Sequence, residues 1–235
     1  MNDFLKGMKK SIPIFLGYFA VSFSFGVFCN INKIAPITAI VMSLTNLTSS
    51  GQFAGAKLII SVASYIEIAV TVLLINLRYA LMSLSLSQHL KPKTKTWQRL
   101  LFGFGITDEI YAVAIKEEEK VSAKYMFGLI ALPIIGWTLG TLFGVLFSDI
   151  LPEMLQNAFG IALYAMFIAI FLPDCTKSKS ISIVVAISIL LSCCLEYVPY
   201  INLIPLGFKI IISTVVASLI GAVFFKIKEE EQCMN

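Results

Sequence analysis

About six apolar runs in this chain are each long enough to cross a bilayer, which takes roughly 20 residues per helix. A spanning chain must satisfy its backbone groups within itself, so the runs read as helices. Buried among them is Gly103-Phe104-Gly105-Ile106-Thr107-Asp108-Glu109. Its two adjacent acids fall at a depth where one carboxylate costs roughly 3 kcal/mol. Glu67 and Arg78 lie in another apolar segment, and Lys57 and Lys209 in two more. Charge retained at such depth marks a route for a polar substrate, so transport is the expected activity.

Composition narrows the class. Hydrophobic residues make up 58% of the 235, and mean hydropathy is +0.88. The expected architecture is all-α: a polytopic integral membrane helical bundle forming one transmembrane transporter domain, 1–235, embedded in lipid. No basic stripe with interleaved aromatics is present, so nucleic acid is not an expected partner. The lysines before the first run resemble a signal peptide, but that run has no small-residue cleavage site. It continues to about Cys29 and reads as a retained helix. Five cysteines without CxxC spacing and a single histidine, His89, give no metal site, and no cofactor is expected. No HExxH, GxSxG or P-loop pattern occurs, so the chain reads neither as an enzyme nor as a self-contained ATP-driven pump.

Lysine and arginine collect in cytoplasmic loops. Lys6, Lys9 and Lys10 place the amino end 1–10 inside, as do Lys91, Lys93, Lys95 and Arg99 for the segment His89 to Arg99. Lys177 and Lys179 mark a third inside loop, and Lys226 and Lys228 a cytoplasmic tail, 226–235. Ser148 to Gln156 and Glu196 to Asn202 carry no basic residue and read as outside. These signs fix parity: Ser11 to Asn30 goes out, Val62 to Ser87 returns, and Pro36 to Ile60 must not change sides. Its polar middle, Thr45 to Gln52, argues for two half-helices meeting at a break. Leu100 to Ile115, flanked by basic residues and broken at Gly103-Phe104-Gly105, is best read the same way, with a full span as the alternative. Further spans at Ala123 to Phe147, Leu155 to Pro173, Ile181 to Val198 and Leu203 to Phe225 bring the count to about six, plus two broken or re-entrant elements. A weak echo between Gly17–Phe28 and Gly136–Phe147 allows an internal repeat.

Three constellations can carry chemistry. At 100° per residue, Ser64, Glu67, Thr71, Arg78 and Ser85 share one stripe, with Asn76 on the opposite face. Glu67 and Arg78 stand about 16 Å apart along the axis and do not pair. The bland alternative for Arg78 is snorkelling to the interface. In the acidic turn, Thr107 or Asp108 can cap the half-helix that follows. Two acids so close in low dielectric cannot both stay ionised without a counter-charge, which makes Asp108 the ammonium-binding or structural acid and Glu109 the proton carrier. The third constellation is the break at Ser49, Ser50 and Gln52, whose amides suit a substrate carboxylate, although Gly51 and Gly55 also suit simple helix contact.

Pro13 and Gly17 in the first helix, Ser49-Ser50-Gly51-Gln52-Phe53-Ala54-Gly55-Ala56, Asn76-Leu77-Arg78-Tyr79 and Thr107-Asp108-Glu109 follow in this order. With them, residues 4 to 225 resemble the AzlC-type branched-chain amino acid permease family. That resemblance implies a bacterial inner-membrane exporter of leucine, isoleucine and valine, working with a small AzlD-type membrane subunit of about four helices. A permease for another small organic solute, or a non-transporting scaffold subunit, is the alternative reading.

Overall fold

The computed structural model describes residues 2–225 except 156, 157, 160, 162–167, 169–171, 174, 177 and 200–202. Helices α1 (Asp3–Ile31), α2 (Pro36–Thr45), α3 (Ser49–Ile60), α4 (Tyr65–His89), α5 (Thr96–Gly105), α6 (Asp108–Ile115), α7 (Ala123–Phe147), α8 (Lys179–Tyr197) and α9 (Leu206–Phe224) follow one another, with one 3₁₀ turn at Ser148–Ile150. Several start where a side-chain oxygen can take an orphan amide: Asn2 for α1, Ser64 for α4, Thr107 for α6, Ser122 for α7 and Ser178 for α8.

Among the described residues, five helices are long and apolar enough to cross a membrane: α1, α4, α7 with its 3₁₀ extension, α8 and α9. The sixth expected span, 155–173, lies largely outside the described residues, as does the expected tail at 226–235. The large apolar side chains point outward in stripes, as Leu73, Leu77, Leu81 and Leu84 do on α4. That is the inverse of a water-soluble helix and suits lipid. The chain is thus an all-α, multi-pass membrane protein.

The centre of the fold is the parallel pair α1–α7. A Cβ on Gly7 would run into the backbone of Tyr125, one on Gly128 into that of Phe4, one on Gly26 into that of Thr141, and one on Gly144 into that of Phe23. Only glycine lets two helix backbones approach so closely. The two helices also pair in register, early residues with early and late with late. The echo between Gly17–Phe28 and Gly136–Phe147 therefore corresponds to two helices lying side by side.

The remaining elements are placed by the two ends of this pair. At the end holding the chain's start, Lys6 and Lys10 reach Glu117, and Leu90 bridges Val121. So α4 ends there, α5 begins there, and α6 ends there: α5 and α6 form a hairpin that enters and leaves by one end. At the opposite end Asn30 donates to Asp149 Oδ1 at 2.7 Å. There α2 begins, and α3 returns, with Phe53 packed on Phe25 and Phe28 of α1 at ring distances of 4.8 and 5.6 Å. Both broken elements are therefore non-crossing hairpins, inserted from opposite ends. The second break lies just past its expected place: Gly103 and Gly105 stay inside α5, which ends at Gly105, and of the two expected caps Thr107, extended, starts α6.

Candidate functional site

The hairpin tips meet near the middle of α1, around a cavity of about 380 Å³. Pro13, Ile14, Gly17, Tyr18 and Val21 of α1 line one side, and Leu47, Ser49, Tyr79, Thr107, Asp108, Glu109 and Trp137 close the others. Both half-helices α3 and α6 begin at this cavity, so two positive helix ends converge on it.

The two ends differ in charge. At α6, Thr107 Oγ1 takes the Ile110 amide at 3.4 Å, and Asp108 and Glu109 occupy the first turn. Asp108 faces Arg78, with Oδ2 at 3.1 Å from Nη2. Glu109 Oε2 accepts a 2.6 Å hydrogen bond from the Tyr18 hydroxyl, which also reaches Thr107 Oγ1. At α3 the N-cap residue Thr48 makes no side-chain cap hydrogen bond among the described residues, so the first-turn amides around Ser49 and Ser50 lack the cap that Thr107 gives α6. Arg78 spans the two ends: Nη2 donates to the Tyr79 hydroxyl at 2.8 Å and comes within 3.5 Å of Ser50 Oγ. The cavity therefore has an acidic corner, a donor-rich corner and an apolar wall of Ile14, Val21, Leu47 and Trp137.

The structure gathers Ser49, Ser50, Arg78, Thr107, Asp108 and Glu109 in this one place. Three expected site residues sit elsewhere. Gln52 is fully buried and faces away from the cavity. It accepts from Trp137 Nε1 at 2.8 Å and donates to Ser43 Oγ, which pairs with Thr141 Oγ1 at 2.6 Å. Thr141 in turn donates to the Ser22 carbonyl at 3.3 Å. This chain of satisfied polar groups fastens the α2–α3 tip to α1 and α7, where water cannot substitute.

Glu67 is at the far end of α4, beyond the cavity. Its carboxylate accepts the Gly207 amide at 2.7 Å and so caps the first turn of α9. The expected stripe is thus divided: Glu67 and Thr71 face Gly207, while the long Arg78 side chain folds across Tyr79, its guanidinium 4.8 Å from the ring centroid. Asn76, expected on the opposite face, is nonetheless at the α2–α3 tip, beside Gly51 and 3.5 Å from Asn46 Oδ1. The reach of arginine lets both faces of α4 serve one region.

Sequence reasoning passed over Tyr18, Tyr79 and Trp137. Tyr18 and Trp137 stack edge to face at 5.2 Å and form a corner of the cavity. The available signal was a hydroxyl on the Pro13–Gly17 face of α1, spaced i, i+4 and i+5 from Pro13.

A comparison with known families decides the identity of this arrangement. The AzlC protein family matches residues 13–151, more than half of the chain. The chain belongs to the AzlC family. Every residue that lines the cavity falls within the matched segment. The inner membrane protein YgaZ of Escherichia coli (strain K12) is 25% identical over 191 residues, covering 78% of each chain. An uncharacterized membrane protein of Archaeoglobus fulgidus is 29% identical over 173 residues, 73% of this chain and 75% of the relative. The branched-chain amino acid transport protein AzlC of Bacillus subtilis (strain 168) is 22% identical over 179 residues, 75% of this chain and 69% of the relative. No solved structure matches the chain.

Proposed function

We propose that this AzlC family member is a secondary transporter that exports branched-chain amino acids across a bacterial inner membrane, driven by an ion gradient. The observation that carries the reading is the polarity of the cavity. A zwitterion needs an acid for its ammonium, donors for its carboxylate, and here an apolar wall for a branched side chain. Asp108 and Glu109 supply the first, and the α3 terminus with Arg78 supplies the second. The volume sits at the small end of ligand pockets, about 300–1,000 Å³, which suits a single amino acid.

The coupling ion on this reading is a proton on Glu109, which lines the cavity and meets the Tyr18 hydroxyl at 2.6 Å. Asp108 is tied to Arg78 on this reading. The relative of Bacillus subtilis, named as a branched-chain amino acid transport protein, supports the substrate class. Both termini are cytoplasmic on this reading, and a small AzlD-type membrane subunit completes the transporter. Counterflow of radiolabelled leucine in proteoliposomes, with and without that subunit, tests it. Leucine accumulation competed by isoleucine and valine is expected; its absence in both preparations would refute the reading.

A further inference from the structure

Of the glycines in α1, Gly7 and Gly26 are explained by the backbone of α7, and Gly17 is not. Apart from its chain neighbours and the adjoining backbone of α1 itself, no atom of the described residues lies within 4 Å of where a Gly17 Cβ would sit. The residue is exposed and lines the cavity. Glycine in a helix interior is disfavoured, so a glycine that no packing demands needs another reason. Pro13 and Val21, four residues to either side, share its face and also line the cavity. Gly17 is therefore a notch between two side chains, and Leu47 and Trp137 supply apolar surface around the same space.

We infer that Gly17 sets the size of the substrate side chain that the cavity admits. The inference rests on the amino acid reading above and deepens it. With the ammonium and carboxylate held at the α6 and α3 ends, the aliphatic branch is left to the apolar side, where the notch adds room. A methyl group at 17 would project into that room without striking the described residues around it. It would shrink the cavity and leave the fold alone.

The test is thermal unfolding of the purified full chain, alone and with the small membrane subunit, with glycine, alanine, valine, leucine and phenylalanine added in turn, for wild type, Gly17→Ala and Gly17→Val. Without ligand, Gly17→Ala should melt at or above the wild-type temperature, since it removes backbone freedom from the unfolded chain. Leucine should stabilise wild type, less so Gly17→Ala, and Gly17→Val should bind it at least about tenfold more weakly while still responding to alanine. A full leucine response in Gly17→Val overturns the inference. So does equal loss of leucine and alanine responses, or a lowered melting temperature of ligand-free Gly17→Ala, which would mark a packing glycine. A wild type that responds to none of the amino acids, alone or with the subunit, would refute the substrate reading itself, and the notch with it.

Discussion

Arg78 gathers its polar partners through one nitrogen, Nη2, and lays its plane across Tyr79. Its guanidinium meets Asp108 at 3.1 Å and the Tyr79 hydroxyl at 2.8 Å, and lies near Ser50. An ammonium at the same place is a compact point charge with no plane to lay across the Tyr79 ring, 4.8 Å away. Arg78→Lys should therefore lower leucine efflux at least about tenfold at normal expression, measured in cells with matched protein levels. Wild-type efflux would return Arg78 to a snorkelling role. Asp108, Glu109 and Arg78 were legible in the sequence because charge inside an apolar run is visible in a string of letters. Gln52 and Glu67 were legible as polar but not as to direction. The partner of Gln52 is Trp137, 85 positions away, and that of Glu67 is Gly207, 140 positions away. Helix arithmetic on one segment cannot find either.

At the scale of elements, the α1–α7 contact depends on missing side chains. Gly26→Ala would drive a methyl group into the backbone of Thr141 and Val145, which cannot yield as a side-chain end can. Overpacking of this kind costs about 1–3 kcal/mol or more. Gly55→Ala is the matching control, since its Cβ would meet only Val72 Cγ2 at 3.5 Å and Met42 Cε at 3.6 Å. Thermal unfolding should show a clear loss for Gly26→Ala and little change for Gly55→Ala; equal losses would contradict the packing. Lysine counts and the polar break point to a non-crossing first hairpin, but for Leu100 to Ile115 a full span stays open until α5 and α6 are placed by one end. The place of the second break is not legible in this way, since two glycines look like a stronger stop than a threonine. The Thr107 side-chain cap, with its extended backbone, ended the contest in favour of Ile106.

At the scale of the whole molecule, the ends of the bundle are distinguished by charge. The end with Lys6, Lys10, Lys91 and Lys120 should face the cytoplasm. In a chain with its native cysteines replaced, an impermeant thiol reagent should label Ile150→Cys in intact cells and spare Lys93→Cys; the reverse would invert the orientation. At that basic end Glu117 holds the α6–α7 link to the start of α1. It pairs with Lys6 at 2.8 Å and with Lys10, and accepts from the Tyr125 hydroxyl at 2.8 Å. Burial pushes its carboxyl up, but the hydrogen bonds from Lys10, Lys6 and Tyr125 outweigh it and bring the pKa from 4.5 down to about 2. A depressed value means the folded state prefers the carboxylate. Its stabilisation is thus complete above pH 4.5 and fades as pH falls towards about 2. Glu117→Gln should melt lower than wild type at neutral pH, and the gap should close across that acid window. A gap that persists unchanged at pH 2 would show that the carboxylate charge is not what ties this link to α1.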